Sequence, residues 1–216
     1  NNSAKTTMPI ARADAKAVNN AAGTITINGS NNSIAMAGSK AALTNAGTIN
    51  VNGTKSAGMY ADNKSSLVNT GTINVAATSA RNESIGMFTD DADTMITTSG
   101  KINAGQSSYG IYGKNVSMTG GEVNASDDAV GIYATGSTVN LAGKITAANN
   151  NAVGVYIADD SKSPVSTAVN STADMSIGDT DSFGYLITAS KNPVNLTANA
   201  PNTVHVGEKS VYIYSN

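Results

Sequence analysis

The chain has 216 residues, with 15 acidic and 13 basic for a formal charge of −2, 21 glycines, and neither Cys nor Trp. Such a balance leaves no basic stripe for a polyanion, which excludes nucleic acid as a partner, and the missing thiols exclude disulfides and thiolate metal centres. With 13% charged residues the chain is no self-repelling disordered polymer, and no apolar run approaches the roughly 20 residues that cross a bilayer as a helix.

The opening stretch, NNSAKTTMPIARADAKAV, lacks the apolar core of a secretion signal. Residues 1–20 read as the end of a preceding coil, with strand-like text at 8–20. From residue 21 to 216 one phrase recurs. Its anchor is the Gly of G-x-I: Gly23, Gly47, Gly71, Gly100, Gly121 and Gly143, with Ala173 and Asn202 in the same place later. Successive anchors lie 24, 24, 29, 21, 22, 30 and 29 residues apart. The units keep their strands and vary their loops.

Each unit holds three strand-like segments. The first runs GTITI, GTINV, GTINV, GKINA, GEVNA, GKITA, ADMSI and NTVHV, with Ile and Val alternating against Asn and Thr as in a half-buried strand. The second is SIAMA, SAGMY, SIGMF, SYGIY, AVGIY, AVGVY, SFGYL and VYIYS. The third is weaker: AALTN, SSLVN, TMITT, VSMT, TVNLA, PVSTAV and PVNLT. No unit buries a face alone, but stacked units bury a continuous core. Helical repeats would need a sustained 3.6-residue period, and Thr, Asn and Gly are poor helix formers. The expectation is all-β: a right-handed parallel β-helix of about eight coils with three short strands each, rising roughly 4.8 Å per coil. No polar cap is evident at either end, which predicts a piece of something longer.

Strict alternation in the second strand places the residues on either side of its Gly in the core. These are Ala57, Ile85, Tyr109, Val130, Val153 and Phe183 before it, and Met59, Met87, Ile111, Ile132, Val155 and Tyr185 after it. It sends outward both the glycines (Gly58, Gly86, Gly110, Gly131, Gly154, Gly184) and an aromatic ladder of Tyr60, Phe88, Tyr112, Tyr133 and Tyr156. The ladder is a candidate contact surface for a sugar or an apolar partner, and equally a stabilising stack; with the register reversed, the rings would be core. An outer polar row on the first strand, Thr26, Asn50, Asn74, Asn103, Asn124, Thr146, Ser176 and His205, is expected to form an amide ladder. Three lengthened corners, 80–86, 89–94 and 158–166, supply candidate loop contacts at Arg81, Glu83, Asp90, Asp91, Asp159 and Asp160.

Catalytic text is sparse. His205 has only Glu208 near it in sequence, no G-x-S-x-G elbow or phosphate-binding loop occurs, and the paired acids lie in corners where Asp bonds its own backbone. Neither an EF-hand nor a G-G-x-G-x-D repeat is present, so no metal or other cofactor is expected, and the chain is not read as an enzyme.

The phrases NTGTINV, NAGTINV, SAGMYAD and AVGIYAT resemble the passengers of type V autotransporter adhesins, most of all the fusobacterial RadD-like outer-membrane group. The resemblance spans about residues 21–216 and implies a passenger displayed on the surface of a Gram-negative bacterium. It would be held in the outer membrane by a C-terminal β-barrel absent here, and would attach to a protein or glycan receptor on host cells or other bacteria. SIAMAGSKA, at 33–41, also resembles the left-handed roll of trimeric autotransporter heads, whose shorter period the spacing here does not sustain. A purely structural stalk and a carbohydrate-active β-helix enzyme are the alternatives.

Overall fold

A computed structural model describes residues 15–29, 31–158, 166–188, 191–200 and 202–216. Among them there are 22 strands and no helix, all pairing in parallel with the equivalent strand of the next coil. This is a β-solenoid of about eight turns.

Three stacks of strands enclose one core. The first joins Thr24–Ile27, Thr48–Val51, Thr72–Val75 and Lys101–Ala104, and continues to Val204–Val206. Ile49 sits over Ile73 and Ile73 over Ile102, each 0% exposed, as the repeated phrase requires. The second stack is the separate eight-stranded sheet, running from Ile34–Ser39 to Lys209–Ser215. The third begins with Ala15–Asn19, which pairs in parallel with Ala41–Asn45.

The first and third stacks merge through two long strands, Asn115–Ala125 and Ser137–Ala147, which bend across the shared corner. Gly121, at φ +75°, and Gly143, at φ +88°, turn those bends, in a backbone region that side chains rarely enter. Earlier coils close the same corner differently. Asn19 donates through Nδ2 to Asn45 Oδ1 at 2.8 Å, Asn45 to Asn69 Oδ1 at 2.8 Å, and Asn69 to Thr98 Oγ1 at 3.3 Å, all buried. This inner amide ladder, which was not anticipated, belongs to the N-x-G text before Gly47 and Gly71, with Asn19 four residues before Gly23. The outer ladder was: Asn74 donates to Asn50 at 2.9 Å, Asn103 to Asn74 at 2.8 Å, and Asn124 to Asn103 at 3.0 Å.

Serine does similar work at the entry to the second sheet. The backbone N–H of Ser56 donates to Ser84 Oγ at 3.1 Å, and that of Ser182 to Ser210 Oγ at 3.1 Å. Corner amides with no strand partner are thus satisfied by the coil above, as buried backbone polar groups must be.

The second strand departs from strict alternation. A Cβ on Gly110 would lie 2.5 Å from the carbonyl oxygen of Gly131 and 3.2 Å from the buried methyl Cγ2 of Ile102, so the glycines face the core. The residue after each glycine also faces in, with Met59, Met87, Ile111, Ile132 and Val155 all 0% exposed. Two consecutive inward positions flip the residue before the glycine to the outside. Hence Ile85, Tyr109, Val130 and Phe183 are half-buried outside the core cluster, on the face that carries the aromatic ladder, and Ala57 and Val153, in the same column and also outside that cluster, are buried. The expected outer glycine row is therefore corrected to an inner one. The coils stay in register through these close-packed glycine backbones, and period-2 counting along one strand does not reveal the departure.

Tyr185 fills an inward position held elsewhere by Met, Ile or Val and is 0% exposed, edge-on to Tyr212 at 5.6 Å. Burial pushes its hydroxyl up to about 12, the nearby Ser171 hydroxyl pulling the other way without reaching hydrogen-bond geometry. A folded-state value above the unfolded one means the native state holds its proton longer. Stability from this group is then whole below pH ~10 and falls as pH rises toward 12, by roughly 2–3 kcal/mol at the top of that window. Urea midpoints measured from pH 9 to 12 should show this decline, and Tyr185→Phe should flatten part of it.

Candidate outer face of the second sheet

Two columns make the outer face of this sheet. One is Ile34, Ala57, Ile85, Tyr109, Val130, Val153 and Phe183; the other is Ala37, Tyr60, Phe88, Tyr112, Tyr133, Tyr156 and Leu186, each in register with its neighbour. The ladder is continuous from Tyr60 to Tyr156. Ring centroids lie 5.4 Å apart for Tyr60–Phe88 and for Phe88–Tyr112, 4.6 Å for Tyr112–Tyr133 and 4.9 Å for Tyr133–Tyr156. Tyr112 and Tyr133 are stacked at 12° and the pairs on either side of them are edge-on, the geometries aromatic quadrupoles prefer. All five rings are half-buried.

Tyr109, expected inside, stands outside and meets Tyr112 and Tyr133 edge-on at 6.2 and 5.8 Å. A ring that large among Ile and Val neighbours was the available sign that its column does not face a narrow core. Crowding shows in the phenols. Burial first, then the neighbouring rings, pushes Tyr133 up to about 12, while burial followed by the charge of Glu83 raises Tyr109.

The corner at 76–84 forms a spur at one edge of this face. Glu83 borders a cleft on each side of it. One, of about 420 Å³, is lined by the apolar side chains of Ile34, Ala57, Tyr60, Ile85 and Phe88 together with Asn32, Lys55, Ser56 and Glu83. Its notch arises because Ala57 is small between Ile34 and Ile85. The other, of about 360 Å³, lies against Tyr109 and Val130, with Ala80, Ser107, Ser108 and Asp128 around it. Glu83 also accepts the Arg81 backbone N–H at 2.7 Å, which shapes the spur, while the Arg81 side chain is exposed.

Asp90 and Asp91 sit at the opposite edge, so the candidate loop residues do not converge on one place. Asp90 is exposed. Asp91 accepts from Thr94 Oγ1 at 2.6 Å, from the Lys64 N–H at 2.9 Å and from the Asp93 N–H at 3.2 Å. Those bonds, the Thr94 hydroxyl foremost, hold its carboxyl below the usual range and assign it to the corner itself. Near this edge Tyr60 donates to Asp62 at 3.4 Å, and burial together with Asp62 and Asp90 raises its hydroxyl. Asp159 and Asp160 lie outside the described residues.

Among the described residues no three His, Cys, Asp or Glu side chains group as a metal site. His205 is exposed in the outer polar row, in register with Ser176. On the first sheet Lys101, Glu122, Lys144 and Asp174 stack in alternating sign, Lys101 and Glu122 at 3.1 Å. Exposed pairs of this kind set register more than stability.

Residues 2–119, more than half of the chain, match the model of the BigA third pectate lyase-like domain. Nothing among curated proteins or solved structures matches the chain. The repeat runs on beyond the matched span in the same register, Tyr112 over Tyr133 and Tyr133 over Tyr156.

Proposed function

The chain belongs to the BigA third pectate lyase-like domain family, a domain type of bacterial surface proteins, and from that premise we propose that it is the rod of a surface adhesin passenger whose second sheet contacts a receptor. The observation that carries this reading is the continuous outer face of rings and aliphatic side chains, bounded by the two clefts beside the spur. A rigid stack loses little conformational entropy on contact, which favours binding through such a face. The receptor is a protein or glycan on a host or bacterial cell. The passenger is of the autotransporter type, similar to the RadD-like group, displayed at the outer membrane of a Gram-negative bacterium.

The reading is non-catalytic. Its support is that two of the candidate loop carboxylates accept from backbone of their own corners, Asp91 from the Lys64 and Asp93 N–H groups and Glu83 from that of Arg81. Assays for reducing ends released from polysaccharides should stay at the blank; release that Glu83→Gln abolishes would make the chain an enzyme.

The test of the contact face is cell binding and a glycan array with Tyr112→Ala and Tyr133→Ala. Each substitution removes ring pairs worth about 0.5–1.5 kcal/mol, so circular dichroism must first confirm the fold. Folded variants should bind on the order of tenfold more weakly, as for loss of a central aromatic anchor. Undiminished binding would remove the ladder from the interface. A second reading, a structural stalk, is favoured by the stacked Tyr112–Tyr133 pair, whose ring faces are occupied by each other. It predicts no binding by the parent protein and a lower melting temperature in both variants.

A further inference from the structure

The chain contains two Asn–Gly steps, Asn28–Gly29 and Asn52–Gly53, and the fold stacks one above the other. Ile27 pairs with Val51, the Asn52 N–H donates to Ile27 O at 2.9 Å, and Asn52 Nδ2 donates to Asn28 Oδ1 at 3.2 Å. Both asparagine side chains are exposed. We propose that Asn28 is a site of spontaneous deamidation to aspartate and isoaspartate, with Asn52 a slower second site in the same column.

The chemistry needs only water. The backbone nitrogen of Gly29 attacks Asn28 Cγ, forming an N–C bond, and the side-chain nitrogen leaves as ammonia, carrying the proton given up by the attacking amide. Water then opens the succinimide at either carbonyl, leaving aspartate or a chain routed through the side chain as isoaspartate. No electrons change hands. Glycine favours the attack because no Cβ shields its nitrogen and its backbone turns freely.

The two corners differ in their freedom to close that ring. Gly29 is exposed at φ +63°, and a Cβ built there would meet nothing within 4 Å. Gly53 is buried, and its carbonyl accepts from Ser84 Oγ at 2.8 Å, so ring closure at Asn52 must first open a packed corner. Conversion of Asn28 to aspartate keeps an acceptor for Asn52 Nδ2, so the stack survives it. Isoaspartate lengthens the corner by a methylene. Asn32, Lys55 and Ser56, each within four residues of one of these asparagines, line the Tyr60–Phe88 cleft, so the modification changes charge and shape near that face.

The test is peptide mapping by mass spectrometry after incubating the folded protein at mildly alkaline pH, with enzymatic methylation to count isoaspartate. Asn28 should convert ahead of Asn52, and both ahead of every other asparagine. In urea the two rates should become alike, because both are Asn–Gly steps. Gly29→Ala should slow conversion at Asn28 on the order of tenfold, by shielding the nucleophile, and leave Asn52 unaffected. Native Asn28 that stays intact while the urea sample converts, or Asn52 reacting first, would overturn the proposal.

Discussion

Asn45→Ala is expected to cost about 3–5 kcal/mol, several times the effect of Asn74→Ala, although both remove one rung of an amide ladder. The difference is burial. Asn45 is 0% exposed; its Nδ2 donates to Asn69 Oδ1 at 2.8 Å and reaches the carbonyls of Gly47 and Thr72 at 3.3 Å, while its Oδ1 accepts from Asn19. Alanine leaves the Asn69 oxygen and part of the Asn19 amide without partners where water does not reach, at about 1–3 kcal/mol for each orphaned group, plus a small cavity. The rungs of the outer ladder are half-exposed, so solvent replaces what Asn74 gives up. Urea denaturation of the two variants checks this. Asn45→Asp keeps the shape, replaces the donor with a second acceptor facing Asn69, and should be worse than alanine. Equal, small losses at positions 45 and 74 would mean the inner ladder does not hold the corner.

The same ladder bears on function. In a solenoid each coil touches only its neighbours, so stability is close to a sum of coil and interface terms. A buried ladder from Asn19 to Thr98 ties the corner of the first coils together, in the part of the rod that carries Tyr60, Phe88 and the corner at 76–84. Beyond it the inner position passes to Met118 and Leu141, and the corner is turned by glycines instead. The contact face proposed above would be pre-organised by features inside the rod.

Much of this was legible in the sequence, because a solenoid writes its geometry as repetition. The anchors Gly23 to Gly143, continuing through Ala173 and Asn202, fall in register in the fold despite unequal spacing, since loops lengthen without disturbing strands. The ring ladder and the Asn50–Asn124 row were legible for the same reason. The glycines were not. Counting by twos puts Gly58 and Tyr60 on one face, but the chain places Gly58 and Met59 inward together. A slip of that kind depends on the approach of one backbone to the next, which no single strand encodes. The cleft beside Ala57 follows from it, as does the outward turn of Tyr109. The inner ladder was written as N-x-G and overlooked, because buried asparagine is uncommon enough that the outer row drew the inference.

Gly110→Ala carries the sharpest test of that slip. One methyl group is expected to cost about 3 kcal/mol, the upper range for overpacking, because the added carbon meets backbone. It would sit 2.5 Å from Gly131 O and 3.2 Å from Ile102 Cγ2, and neither neighbour can retreat without moving a strand. Gly113, three residues on in the same strand, is the control. The nearest atom to a Cβ there is Ile96 Cδ1 at 2.8 Å, the tip of a side chain that can rotate, and its partner in the next coil is already Ala134. Gly113→Ala should stay within about 1 kcal/mol of the parent, since the lost freedom of the unfolded chain offsets the adjustment. Thermal melts of the two variants separate the explanations. If the glycines faced solvent, as simple alternation has it, Gly110→Ala would be as mild as Gly113→Ala. If they line the core, Gly110→Ala melts well below the parent and displaces Tyr109 and Tyr112 on the outer face; the proposed receptor contact then predicts weaker binding in a variant that has lost none of the rings.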